Sequence, residues 1–542
     1  MMARSFRYGV LAIVIVGSGL GACARRESAD GGAGGPPRRG GTLVLGLQQE
    51  PDLLDNILQL RKASRAINNA IFSRFVTYDD SLRLVPDLIT RIPSLENGGI
   101  SPDHLTYTYE LRDDVLWHDG VPLTSADVRF TYEIIMDPAA GAESQQGWDV
   151  IDRVETPTAY SVVFRLREPY TSFVEDTFYD EDVLPKHLLE GKRGSAFPTA
   201  AFHRAPVGSG PFVFEEWVPA SHIRLKRNER YRDHAPYLDA IVFKFIPEAV
   251  ALGVQLRTGE LQGCDNADVS QLAVLEQIPG MQVHRTPSLA YTHVTFNCAR
   301  PPLDDVRVRQ ALAMAVDRAA IATHVFEGLA EPALSGRHPL TEWYNPIAPQ
   351  LARLDLAGAQ GLLEAAGWRD SDGDGIRERD GVKLAFELHT GAGRADRERL
   401  QQVLQQEWRL VGADVQIRNF EMRALIEKLH GGEFDAAVFG WNQQPDPSAI
   451  AAVYGSNGPQ NFGRWASARF DSLAAAGAAT FDAAARRGIY RSIEEILLRE
   501  VPAVPIVWHQ ELDVMTQALH NYRPNPGDAG DTWNVHEWWL AP

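Results

Sequence analysis

Hydrophobic residues along this chain fall into three textures. Near the start, Val10 to Val16 is a short unbroken apolar run. It follows a basic opening (Arg4, Arg7) and precedes small residues ending in Leu20-Gly21-Ala22-Cys23. Residues 24–41 have almost no apolar patterning and are rich in Gly, Pro and Arg, a composition that cannot bury enough surface to fold. From Thr42 to Leu47 onward the chain reads as ordered strand. Period-two alternation marks Leu105 to Leu111 and Thr158 to Leu166 as strands. Between them Asp119-Gly120 sets a turn, and Thr124 or Ser125 caps a helix with Asp127 in its first turn. Pro206 to Phe212, with Gly208 and Gly210, predicts a rigid turn before a further strand pair.

After Pro301 the period switches. Asp304 or Asp305 opens a helix through Val308, Leu312, Ala315 and Val316. Asp355 opens another, which Gly367 stops. Leu384 to Leu388 is a strand, Leu400 to Val411 a helix ended by Gly412, and Val415 to Ile417 a strand. Met422 to Leu429 is a helix and Phe434 to Phe439 a strand. Strand–helix–strand repetition implies an α/β fold with parallel strands covered by helices. Ligands in such sheets bind beyond the carboxyl ends of the strands. The end of Phe434 to Phe439 delivers Trp441, Asn442, Gln443, Gln444 and Asp446. A Trp beside three amides supplies a flat apolar wall with orienting hydrogen bonds, or else a cap on the core with its amides in water.

The N-terminal pattern is that of a secretory signal, and its apolar run is too short to span a bilayer. Its last four residues look like a bacterial lipobox, so Cys23 is the expected site of lipidation and the new N-terminus. An ordinary signal with a chance cysteine is the alternative. Ala24 leaves either membrane of a two-membrane cell open as the anchor.

Net charge is −18, and loss of Arg4 and Arg7 with the signal makes the mature chain more acidic. There is no basic stripe of the kind a nucleic-acid binder needs. Beyond Cys23 only Cys264 and Cys298 remain, as a disulfide or as two separate buried thiols. Motifs for zinc proteases, serine nucleophile elbows, phosphate loops and Cys-x-x-Cys redox sites are absent, and Gly208-Ser209-Gly210 is a turn. Asp370 to Gly375 matches the first half of a calcium loop, but the twelfth position is Gly381; an Asp/Gly hairpin turn is the other reading. No catalytic or metal residue is therefore assigned and no cofactor is expected.

Several segments together resemble the bacterial family 5 solute-binding proteins of ABC importers, the oligopeptide- and dipeptide-binding type. They are Leu105 to Arg112 followed by Trp117 to Val128; Pro206 to Phe212 with Asn228 to Tyr231 after it; and Asn297 to Pro302 leading into Asp304 to Leu312 and Ala315 to Arg318. The match runs in register from Gly41 to near residue 510. The resemblance implies a two-lobed periplasmic-binding-protein-like fold with a hinge. Lobe I would be discontinuous (42–85, 204–292 and 508–542) with 86–203 as an inserted subdomain, and lobe II would be 293–507. It implies a monomeric, non-enzymatic receptor in the periplasm or at the cell surface, passing a peptide or small solute to the subunits of an ABC permease. Peptide-binding members carry an Asp shortly after the loop Trp, for the peptide amine. Here Gln444 stands at the third position and Asp446 is the nearest acid. The family also serves metal chelates, opines and sugars, and a sensory or surface lipoprotein with the same fold is a further alternative.

Overall fold

The computed structural model describes residues 36–542 apart from 60, 61, 146, 179, 180, 528 and 529. The signal segment, Cys23 and most of the tether lie outside the described residues. Residues 38–542 form one compact unit.

Its frame is a mixed sheet of eleven strands. One half contains Asp414–Phe420, Ala385–Gly391 and Ala436–Asn442, mutually parallel as the strand–helix pattern requires. The other half contains Gly263–Cys264, Thr42–Leu47, Ala240–Phe245, His222–Arg227 and Phe212–Val218. Two long antiparallel strands, Met281–Phe296 and Ala503–Thr516, join the halves. Their register shifts between Pro287 and Tyr291 and again between Thr292 and His293. Pro287 has no N–H to give to the ladder, so the pairing is weakest where one half hands over to the other.

Each half has its own apolar core. Val294, Leu312, Leu388, Leu404, Trp408 and Val438 belong to one, and Leu43, Leu45, Phe212, Ile241, Phe243 and Trp538 to the other. Trp408 shows how the helices lock on: it is fully buried, and its indole N–H donates to the Leu312 carbonyl at 2.9 Å. A third core (Tyr107, Tyr109, Trp117, Phe130, Phe164, Phe173) lies under a three-stranded sheet of Thr106–Glu110, Ser161–Leu166 and Ile151–Thr158. Together these are the two lobes and the extra subdomain of the periplasmic-binding-protein fold.

Local signals hold where they are chemical. Asp305 caps Val306–Met314 through Arg307 N, and Asp355 caps Leu356–Ala365 through Gly358 N. The Thr124 N–H donates to Asp127 at 2.8 Å ahead of Ser125–Ile135. Gly367 and Gly412 have φ of +89° and +88°. A Cβ on Gly208 would stand 2.0 Å from the Ile71 carbonyl oxygen, so only glycine fits this turn. Two boundaries differ from expectation. Thr158 ends the preceding strand, because its hydroxyl accepts the Tyr160 N–H in the turn, and the next strand starts at Ser161. Trp441 and Asn442 lie on a strand, not in a loop, held by pairing with Tyr291 and Ala290.

Cys264 and Cys298 are free thiols, the first buried and the second half-buried. In the Asp370–Gly375 segment the Asp370 carboxylate accepts the Gly373 and Gly375 N–H groups at 2.8 and 3.1 Å. Asp372 accepts from Asp374 N at 3.1 Å, and Asp374 is paired with Lys383. The carboxylates of Asp370, Asp372 and Asp374 converge at the exposed surface, within reach of one ion. No helix among the described residues is long and apolar enough to cross a membrane.

Candidate functional site

Period-two geometry sends Ala436 and Val438 into the core. It turns Phe439 and Trp441 to the opposite face, where Phe462 packs against both. Trp441 is half-buried. Its ring stacks on Phe462 at 5.9 Å and 20°, and meets Phe439 edge-on at 5.2 Å. On the neighbouring strand Tyr291 packs on Trp508 at 4.9 Å, and Trp441 closes that cluster from outside.

Trp441, Asn442 and Tyr291 form a wall shared by two cavities. The larger, about 390 Å³, is lined also by Arg65, Arg394, Arg397, Gly440, His509 and Glu511. The smaller, about 200 Å³, adds Arg337, Gln443, Gln444, Ile450, Tyr454 and Gln460. Both lie where the two long strands pass between the halves of the sheet. Burial pushes the His509 imidazole down to about 4, so it is neutral near pH 7; its Nε2 lies 2.8 Å from the Thr292 hydroxyl. Burial raises the Tyr291 and Tyr454 phenols, so both are neutral hydrogen-bonding groups.

Asp446 is elsewhere. It is buried and accepts from Arg486 Nη1 and Nη2 at 2.6 and 3.0 Å, and from the Ser172 hydroxyl at 2.7 Å. Ser172 belongs to the subdomain chain segment and Arg486 to the helix Ala483–Glu500, so this network ties distant segments together. Thr171 N donates to the Ala478 carbonyl at 3.4 Å, and His104 stacks on Phe481 at 3.6 Å along the same contact. Burial works to raise the Asp446 carboxyl, but the Arg486 hydrogen bonds and charge outweigh it and hold the group below its usual range. Glu175 beside it goes the other way, raised to about 8 by burial and then by the Asp446 charge. Asp446, the nearest acid to Gln444 in sequence and a candidate ligand contact with Trp441, is thus a carboxylate already committed to an arginine.

Trp441, Asn442, Gln443 and Gln444 are brought together; Asp446 is not among them. Arg394, Arg397, Arg337, Tyr291 and His509 escaped the sequence reading. One signal could have found the first two: they follow the carboxyl end of Ala385–Gly391, the parallel neighbour of Ala436–Asn442.

The model of the bacterial extracellular solute-binding proteins, family 5 (middle region) matches residues 83–462. The chain belongs to this family. It is 29% identical over 532 residues to the oligopeptide-binding protein AppA of Bacillus subtilis (strain 168), covering 96% of each chain. The structure of AppA from Bacillus subtilis in complex with a nonapeptide superposes with a TM-score of 0.73 at 28% identity, over 94% of this chain and 100% of that one. NikZ from Campylobacter jejuni in complex with Ni(L-His) gives 0.73 at 26% identity, over 92% and 99%. Family membership makes this a solute-binding protein of the extracellular type.

Proposed function

We propose that the protein is a lipid-anchored receptor outside the cytoplasm that holds a peptide or peptide-like solute between its lobes and delivers it to an ABC-type permease. The observation that carries this reading is the pair of cavities sharing the Trp441 wall at the strands that join the two halves. A solute there touches both lobes only when they are closed. Ligand therefore shifts an existing open–closed equilibrium toward closure, and closure is the signal a permease can read. Trp441, Asn442, Gln443 and Gln444 are the proposed contacts, while Asp446 is committed to Arg486 and Ser172. The lobes divide as the resemblance implies, with the shifts at Pro287–Tyr291 supporting a hinge near residues 292 and 508. The chain is anchored at Cys23, acts as a monomer in the periplasm or at the cell surface, and performs no covalent chemistry.

A non-peptide solute is the second reading. Gln444 cannot give an amine the charge-assisted bond that a carboxylate gives. One similar protein is described with a nonapeptide and another with Ni(L-His). Calorimetry of the mature protein with oligopeptides and with amino-acid–metal chelates separates the two. Binding on the order of micromolar, about −8 kcal/mol, is expected for one class. Binding of neither class refutes the receptor reading. The anchor is tested separately: Cys23→Ala releases the protein from the membrane fraction if Cys23 carries the lipid, and leaves its distribution unchanged if not.

A further inference from the structure

Two parts of the chain meet away from the Trp441 cavities. Residues 171–175 of the subdomain, at the start of the helix Phe173–Phe178, face residues 446–448 and the helix pair Ala468–Ala479 and Ala483–Glu500. No strand pairs across this contact: the three-stranded sheet of the subdomain and the eleven-stranded sheet are separate among the described residues. What joins the two sides is a polar knot. The Ser172 hydroxyl donates to Asp446 at 2.7 Å, accepts from Arg486 Nη2 at 3.2 Å and lies 2.5 Å from the Ser448 hydroxyl. The Thr171 N–H bond to the Ala478 carbonyl, at 3.4 Å, is the one backbone bond that crosses among the described residues. His104 stacks on Phe481 at 3.6 Å, and Phe481 is the one described residue of 293–507 that packs on the subdomain core.

The bonds are divided unevenly between the two sides. Asp446, Arg486 and Ser448 satisfy one another. Arg486 gives Nη1 and Nη2 to Asp446 at 2.6 and 3.0 Å, Nη2 to the Ser448 hydroxyl at 2.9 Å and Nε to the Gly477 carbonyl at 3.1 Å. Ser448 N donates to Asp446 at 2.9 Å. The subdomain contributes only a neutral hydroxyl to this set. Glu175 adds no charge near pH 7, because burial and then the Asp446 charge raise its carboxyl to about 8. Ser172 can therefore withdraw without leaving an ion unpaired. An ion pair split between the two sides would instead strand a charge on each at every separation. A cavity of about 390 Å³, lined by Tyr78, Glu175, Trp343 and Asp446 among others, opens beside the knot. A permanently fused core would be filled there. A contact this polar, with its ions paired on one side, suits two bodies that meet and part.

We propose that Ser172, with Thr171 and His104 beside it, docks on Asp446, Arg486 and Ser448 as a reversible clasp that holds the subdomain against the second lobe with no solute present. The clasp biases the open–closed equilibrium toward closure, so a solute supplies only the remainder. This rests on the proposed lobe division and hinge, and not on which solute is bound.

The test uses the full-length protein in detergent with no solute added. In the double variant Ser172→Cys with Ser448→Cys, two sulfurs replace oxygens 2.5 Å apart, near the S–S bond length of about 2 Å. Cys264 and Cys298 stay in place as thiols shielded by the fold. Glutathione disulfide is expected to cross-link most chains internally and dithiothreitol to release them; absence of the cross-link overturns the proposal. Hydrogen exchange read by mass spectrometry follows the opening. The Thr171 amide is expected to exchange faster than the amides of Ala436–Asn442. In Ser172→Ala it should exchange about tenfold faster again, the size of one lost hydrogen bond to a charged group, with the core strand unchanged. Thr171 exchange as slow as the core strand would mean a permanent contact. No change in Ser172→Ala, or a rise that the core strand shares, would mean that the hydroxyl does not hold the two sides together. Either result overturns the proposal. The two readings fail separately: a missing cross-link leaves the Trp441 site standing, and calorimetry in which no solute binds leaves the cross-link standing.

Discussion

Replacing Asp446 by Ala perturbs a buried carboxylate that accepts from Arg486, Ser172 and Ser448. The Arg486 and Asp446 side chains are 9% and 4% exposed, and two hydrogen bonds join them at 2.6 and 3.0 Å. Removing one partner of such a pair leaves the other charge buried and costs about 3–5 kcal/mol. Arg486 would keep the Gly477 carbonyl at 3.1 Å and the Ser448 hydroxyl at 2.9 Å, and it lies 5.0 and 5.2 Å from the Trp343 and Tyr490 ring centres. These remaining contacts place the expected loss near the lower end, about 3 kcal/mol. The assay is urea denaturation followed by tryptophan fluorescence, comparing the first transition with that of Glu427→Ala. Glu427 forms an exposed pair with Arg423 (68% and 86% exposed) and should change stability by less than about 0.5 kcal/mol. The Asp446 carboxyl is held below its usual range in the fold. Its pairing is therefore a stabilising term above the unfolded value of about 3.9, lost as pH falls through the folded value. The gap between native protein and variant should narrow in acid. A loss under about 1 kcal/mol at pH 7, or a gap that widens on acidification, would show that the pair does not stabilise the fold in this way.

Glu175 has the opposite sign. Its folded value is raised to about 8, so its contribution is fully favourable below the unfolded value and is lost as pH rises through about 8. Glu175→Gln should flatten the alkaline decline in melting temperature, and an unchanged pH profile between 6 and 9 would contradict this. Thiol titration of the denatured mature protein should find two reactive groups, Cys264 and Cys298, and the native protein should react slowly because burial raises both thiols, Cys298 to about 11. One disulfide and no thiol would be the contrary finding. Millimolar calcium should leave the melting temperature unchanged, because backbone N–H groups and Lys383 already engage the oxygens of Asp370, Asp372 and Asp374; a rise of several degrees would show that the ion displaces them.

What was legible in the sequence was local. Asp305 and Asp355 announce helix starts because their side chains accept N–H groups two or three residues on, and Thr124 does so because Asp127 in the first turn accepts its N–H. Gly367 and Gly412 announce stops because their φ is positive. The fold class followed from the order of such signals and from motifs shared with a family. The site was legible only in part. Trp441 stood out as a large aromatic among amides, but its place on a strand depends on Tyr291, 150 positions earlier. Arg397 looks in sequence like one charge on a helix face between Asp396 and Glu398. Only the parallel pairing of Ala385–Gly391 with Ala436–Asn442 carries it to Gly440. Asp446 misled for the same reason: its partners, Ser172 and Arg486, lie far away along the chain. Whether two cysteines meet is likewise a fact of tertiary distance, which spacing does not encode.

The proposed receptor holds its solute, unchanged, against the Trp441 wall. The most direct test of this is a calorimetric titration of the mature protein and of Trp441→Ala with the tightest-binding solute of the peptide and chelate panel, followed by mass analysis of the recovered solute. One site per chain is expected, with an affinity at least about tenfold weaker in the variant and the solute recovered intact. Equal affinity in the two proteins, or recovery of the solute as cleavage products, would contradict it.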